Sequence, residues 1–216
     1  MLYYIGRFLC WLFAKVFGRV TVIGRDNVPA TGGVLLAPNH TSYIDPPLVG
    51  SSLRRPVWFM AKAELFAVPV LGPIIRHVHA FPVKRGAADR AAMRQAHELL
   101  VGGAALTVFF EGGRSRDGRL SEPSLGAAMI ALRAHVPIVP VAVIDADKLM
   151  PREGGVKFTH VTVIFGQPLT FPHLDGKHAD REALREVSET VAREVAALMC
   201  QHGASDRVPQ GYLERV

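Results

Sequence analysis

Cysteine is scarce in this chain. Cys10 and Cys200 are the only two among 216 residues. That excludes a disulfide framework and a cysteine-rich zinc site, and it fits a reducing compartment. Of the nine histidines only His77 and His79 lie close together, and nothing nearby completes a ligand set, so no metal is expected. No apolar run reaches the roughly 20 residues that span a bilayer, which argues against a multi-span membrane protein. Aromatic residues make up 8% of the chain and do not interleave with a basic stripe, so nucleic acid is not the expected partner. Internal repeats and low-complexity tracts are also missing.

What is present is apolar and basic. Hydrophobic residues make up 49% of the chain, and the formal net charge is +6. A length of 216 residues suits one domain with a substantial core. The positive balance suits a membrane surface or a phosphorylated small molecule. The first acidic residue is Asp26, whereas Arg7, Lys15, Arg19 and Arg25 precede it. In the same stretch Ile5, Leu9, Leu12, Phe13, Val16 and Phe17 recur at helical spacing on one arc, with Arg7 and Lys15 on the other. With Trp11 among them, residues 1–19 read as an amphipathic helix lying on an anionic membrane surface. The alternative is a helix docked on the protein's own core. No small-residue cleavage site follows, so the segment is a poor signal peptide. The expected place is therefore peripheral, on the cytoplasmic face of the cell membrane. Residues 20–203 form the main domain, and 204–216 a mobile tail.

Beyond the first helix the elements alternate. Short apolar runs predict strands at 20–23, 34–37, 57–60, 106–110, 138–143 and 161–165. Longer periodic stretches predict helices at 44–53, 89–101, 125–134 and 179–200. This order implies an α/β fold, with a mixed, largely parallel central sheet and helices on both faces. The stretch 125–134 is apolar nearly all round and should be buried.

The most informative segment is Asn39-His40-Thr41-Ser42-Tyr43-Ile44-Asp45, just past the strand at 34–37. Open α/β sheets place their chemistry at such strand ends. A histidine oriented by a carboxylate is the usual recipe for a general base. On an ideal helix, positions five apart point about 140° from each other. His40 and Asp45 therefore meet only if His40 lies in the loop before the helix. Ser42-x-x-Asp45 is a capping-box-like start, with Pro46 and Pro47 in the tolerant first turn. Taken alone, the pair also fits a capping aspartate beside an ordinary loop histidine.

A second loop, Phe109-Phe110-Glu111-Gly112-Gly113-Arg114-Ser115-Arg116, follows the strand at 106–110. Its glycines let backbone approach a ligand closely. Arg114 and Arg116 carry forked donors suited to phosphate. Glu111 can fix an arginine or accept from a substrate hydroxyl. Lys62 follows the strand at 57–60, and Arg85 ends another short apolar run, Phe81-Pro82-Val83. Both can add positive charge at the same sheet edge, although for either one alone a surface ion pair is the simpler reading. Val136-Pro137-Ile138-Val139-Pro140 has no reactive group and must act through shape.

These segments, in this order, resemble the glycerolipid acyltransferase family, whose best-known members are 1-acylglycerol-3-phosphate acyltransferases. The family's Asn-His-x4-Asp block is met by Asn39, His40 and Asp45. Its second block ends in a basic residue, where Arg85 stands. Its Pro-Glu-Gly-Thr-Arg-Ser block is met at Glu111, Gly112, Arg114 and Ser115. Its Val-Pro-Ile-Val-Pro run is met by Val136 to Pro140. Phe110 stands where the family usually has proline, and Gly113 where it usually has threonine. His79-Ala80 stands where glycine is common.

The resemblance implies acyl transfer from acyl-CoA or an acyl carrier protein to the free hydroxyl of lysophosphatidate, in phospholipid biosynthesis, with no resident cofactor. His40 would be the general base and Asp45 its brace. Arg114, with Arg85, would hold the acceptor phosphate, and Glu111 would orient Arg114 or the glycerol. Lys62 or backbone N–H groups near His40 would face the oxyanion. Gly112 and Ser115 complete the binding loop. Three other readings use the same residues: transfer to another lysolipid or glycolipid, thioester hydrolysis, and non-catalytic binding of a lipid phosphate at a membrane.

Overall fold

The computed structural model describes residues 2–84 and 89–213. Seven strands form one sheet: β1 (Thr21–Ile23), β2 (Val34–Pro38), β3 (Val57–Lys62), β4 (Ala80–Val83), β5 (Ala105–Thr107), β6 (Ile138–Ile144) and β7 (Thr162–Phe165). Their order is β1-β7-β6-β2-β5-β3-β4. Every neighbouring pair is parallel except β6 and β7. The helices are α1 (Leu2–Phe17), α2 (Asp45–Ser52), α3 (Leu71–His77), α4 (Arg90–Val101), α5 (Gly126–Ala134), α6 (Ala146–Leu149), α7 (Arg181–Gln201) and α8 (Gln210–Leu213).

The side-chain alternation of the strands builds two cores. Leu35 and Ala37 of β2, with Ile138 and Ala142 of β6, join α4, α5 and α7 on one face. Val34 and Leu36, with Val139, Val141 and Val143, face Ala14 of α1, Leu48 and Val49 of α2, and Leu149 of α6. The central strands are buried on both faces, which explains their unbroken apolar runs. The expected mixed sheet with helices on both faces is what forms, and α5 is buried as its composition requires.

Several elements differ from the sequence-based expectation. β5 stops at Thr107, not residue 110; Val108 and Phe110 still donate to Leu36 and Pro38 as the chain peels into the glycine loop. α3 and β4 were not expected, because Gly72, Pro73 and Pro82 break their patterns; Pro82 is tolerated because β4 is an edge strand. The segment from 204, expected to be a free tail, is tied down through Tyr212. Val208 and Tyr212 are buried, and Arg207 pairs with Asp145 at 2.9 Å and Asp147 at 2.7 Å. Those carboxylates raise the Arg207 pKa above its ordinary value despite burial.

α1 forms as expected, with most of its apolar arc turned away from the core. Its basic residues bond back to the protein's own backbone, Arg7 half-buried and Lys15 exposed. Arg7 donates to the carbonyls of Leu53 and Arg54 just past α2, where a cation suits the carbonyl end of a helix. Lys15 donates to the Val20 carbonyl at 2.9 Å. Tyr3 accepts from Val57 N at 2.9 Å and is buried. Most of the apolar arc points outward: Leu2, Ile5, Phe8, Leu9, Leu12 and Val16 are each at least 43% exposed, while Phe13 and Phe17 pack against the core. No described helix is long and apolar enough to cross a membrane.

Candidate active site

β2 and β5 are neighbours and parallel, so the loops leaving them open at one edge. It is the carboxyl edge of the parallel strands. Asn39 fixes the first loop to β6: its amide donates to the Val143 carbonyl at 3.0 Å, and its carbonyl accepts from Val143 N at 2.7 Å. His40 is 7% exposed, and Asp45, opening α2, is fully buried. His40 lies in the loop, as the helical geometry demands.

His40 Nδ1 lies 2.7 Å from Asp45 Oδ2. The same oxygen accepts from Thr41 N at 2.7 Å and Ser42 N at 2.8 Å. Three donors therefore converge on one carboxylate oxygen. The expected capping box is half formed. Asp45 reaches back to Ser42 N, but Ser42 Oγ leaves the helix and donates to the Met150 carbonyl at 2.9 Å. A carboxylate only accepts, so Nδ1 carries the ring proton and Nε2 keeps its lone pair. Phe109 stacks on the imidazole, with centroids 3.9 Å apart, and limits its rotation.

The glycine loop is joined to this pair through backbone. His40 N donates to Glu111 Oε1 at 2.6 Å, and the His40 carbonyl accepts from Ser115 N at 2.8 Å. Glu111 Oε2 accepts from Ser121 N at 2.8 Å. Glu111 was expected to orient Arg114 or the glycerol. Instead its two oxygens tie the His40 loop to the segment at Ser121. Burial pushes its pKa up to about 7, outweighing the two backbone N–H groups that favour the charged form. Gly112 turns with φ +72°, a left-handed conformation that a side chain resists. Ser115 is buried, and its hydroxyl is spent on Asp117 at 3.0 Å.

Arg114 lies over the Tyr43 ring, with Cζ 3.5 Å from the centroid. Among the described residues no carboxylate pairs with it. The guanidinium thus shares the sheet edge with His40 and keeps its donors unused. Lys62 ends β3, two strands across from β2, and pairs with Glu64 at 3.2 Å on the surface. The structure brings it to the same edge but into no contact with His40, Asp45 or Arg114. Arg85 lies outside the described residues. Tyr43, Phe109, Ser121, Met150 and Arg152 went unnoticed as parts of the site, because each reaches it across a loop boundary. The only signal in the sequence was the aromatic character of positions 43 and 109.

The arrangement can do one thing well: take a proton from a hydroxyl held beside it by an anionic group. An imidazole braced by a carboxylate at the carboxyl edge of an α/β sheet has the chemistry of a general base. The comparisons with known proteins sharpen this. Residues 19–144 match the family model described as Acyltransferase. A 1-acyl-sn-glycerol-3-phosphate acyltransferase of Bacillus subtilis is 30% identical over 188 residues, covering 84% of this chain and 88% of its own. A chloroplastic enzyme of that name from Arabidopsis thaliana is 29% identical, covering 85% of this chain and 53% of its own. The chain thus spans about half the length of the plant relative. The crystal structure of PlsC from Thermotoga maritima, a 1-acyl-sn-glycerophosphate acyltransferase, superposes with a TM-score of 0.72 at 29% identity, covering 91% of this chain and 79% of that one. The chain belongs to the acyltransferase family.

Proposed function

We propose that the chain moves a long-chain acyl group from an acyl thioester, acyl-CoA or acyl carrier protein, to the free hydroxyl of lysophosphatidate. The observation carrying this reading is a braced imidazole and an unpaired guanidinium at one sheet edge, joined through the His40 and Ser115 backbones. His40 Nε2 takes the hydroxyl proton as the oxygen attacks the thioester carbonyl. The C–S bond breaks as the tetrahedral intermediate collapses. The proton on Nε2 goes to the departing thiolate, giving free thiol and the diacyl product. Asp45 stabilises the imidazolium that forms between these steps. No covalent enzyme intermediate is needed, because thiolate leaves easily. Arg114 holds the acceptor's phosphate by charge-assisted hydrogen bonds. Lys62, at the end of β3 on the same edge, adds positive potential toward it.

The outward apolar arc of α1 supports membrane contact by insertion of side chains, with the acceptor supplied from the lipid surface. Each large apolar residue moved from water into lipid contributes about 1.5–3 kcal/mol. The reading is tested by thiol release from a long-chain acyl-CoA and from acyl carrier protein, with and without lysophosphatidate. Release that requires the acceptor, with phosphatidate as product, supports it. Equal release without acceptor makes the protein a thioesterase and refutes the reading.

A further inference from the structure

The phosphate-binding guanidinium must be held in place, and the glycine loop alone does not hold it. Two residues outside that loop do. Tyr43 offers its ring face to Arg114, with Cζ 3.5 Å from the centroid. Tyr43 itself is 62% exposed, so burial does not explain a tyrosine here. Arg152 donates through Nη2 to the Ser115 carbonyl at 2.6 Å and to the Arg114 carbonyl at 3.4 Å. It pins the backbone from which the Arg114 side chain springs. The segment carrying Arg152 is fixed in turn to the histidine loop, because Ser42 Oγ donates to the Met150 carbonyl at 2.9 Å. The strap Met150–Arg152 therefore grips both loops of the site.

We infer that Tyr43 and Arg152 are positioning residues that preset the acceptor-phosphate subsite, Tyr43 by orienting the Arg114 guanidinium and Arg152 by anchoring its backbone. The physical reason is entropic. A free arginine side chain gives up most of its rotamer freedom when it binds. A side chain already stacked on an aromatic face has lost much of that freedom beforehand. Stacking also leaves the guanidinium edge, where the N–H donors lie, open to an incoming phosphate. Among the described residues, Arg152 bonds through Nη2 alone.

This inference rests on the proposed function, and the experiment separates the two. Tyr43→Leu, Tyr43→Phe, Arg152→Gln and Arg152→Lys are compared with the wild type in steady-state turnover. In parallel, binding of lysophosphatidate and of the phosphate-free monoacylglycerol is measured by titration calorimetry. For Tyr43→Leu the expected result is an acceptor KM and Kd raised about 3- to 20-fold, the range of a lost stacking contact. kcat and the donor KM stay within about twofold, since the lost term acts on acceptor binding alone. Tyr43→Phe keeps the ring and stays near the wild type. Arg152→Gln gives a similar acceptor-specific rise that Arg152→Lys partly restores. Monoacylglycerol affinity is the same in all five proteins. An unchanged lysophosphatidate Kd in both Tyr43→Leu and Arg152→Gln overturns the inference, as does an equal rise for monoacylglycerol. If the wild type binds lysophosphatidate but turns nothing over, the proposed function fails while the binding comparison still decides the subsite.

Discussion

Glu111 is a half-buried carboxyl whose pKa is pushed up to about 7, and this has a measurable consequence. Its pKa rises from 4.5 to about 7 in the folded chain, chiefly because burial disfavours its charge. Between pH 4.5 and 7 the native state therefore binds more protons at this site than the unfolded chain does. Stability then falls as pH rises across that window. A shift of that size is worth about 3 kcal/mol in total. Below pH 4.5 both states are protonated, and above pH 7 both are ionised, so the contribution is flat outside the window. Glu111→Gln removes the titration. The carboxamide accepts from one of His40 N and Ser121 N and turns its NH2 toward the other. That mismatch costs about 1–3 kcal/mol at every pH. The assay is urea unfolding followed by circular dichroism, at half-unit steps from pH 4 to 8, for both proteins. The difference between the two stability curves isolates Glu111, since other groups titrate alike in both. The wild type should lose about 3 kcal/mol relative to the variant between pH 4.5 and 7. Parallel curves across that window would refute the reasoning.

Other outcomes follow from the same geometry. Asp45→Asn can keep the Oδ2 contacts with its amide oxygen, but its NH2 then takes the place of Oδ1, which is buried without a partner. We expect kcat to fall about 10⁴-fold, the scale for neutralising the carboxylate behind a catalytic imidazole, with KM little changed. A loss below about fivefold would argue that Asp45 serves only to cap α2. Arg114→Ala should raise the lysophosphatidate KM about 10- to 100-fold, as loss of charge-assisted hydrogen bonds does. A rise confined to the acyl donor KM would contradict the phosphate role. Because Arg7 and Lys15 are engaged by backbone carbonyls of the protein, liposome binding should depend on the apolar face of α1. Phe8→Asp/Leu9→Asp should abolish co-sedimentation, and 0.5 M salt should weaken the wild type only slightly. Complete release by salt would restore the electrostatic picture.

The sheet was legible because buried parallel strands are nearly continuous apolar runs. Those of β2 and β6 could be read directly from residues 34–37 and 138–143. β4 and α3 were hidden by Pro82, Gly72 and Pro73, residues whose tolerance at an edge depends on tertiary context. The His40–Asp45 contact was legible because its members lie five apart, and helix geometry allows only one way for them to meet. The bond from His40 N to Glu111 was not, since it joins residues 71 positions apart. Nor was the orientation of α1. A helical wheel separates Arg7 from Leu9, but it does not say which side meets the protein. Here the carbonyls at the end of α2 claimed the arginine.

The account turns on His40 Nε2 as the proton acceptor, and one measurement addresses that most directly. His40→Ala and the wild type are compared, at matched circular dichroism spectra and melting temperatures, for phosphatidate formed from lysophosphatidate and a long-chain acyl thioester. The account predicts a kcat lowered by at least about 10²-fold, the smallest contribution expected of a positioned base, with acceptor KM little changed. A folded His40→Ala protein that keeps turning over at near the wild-type rate would contradict it.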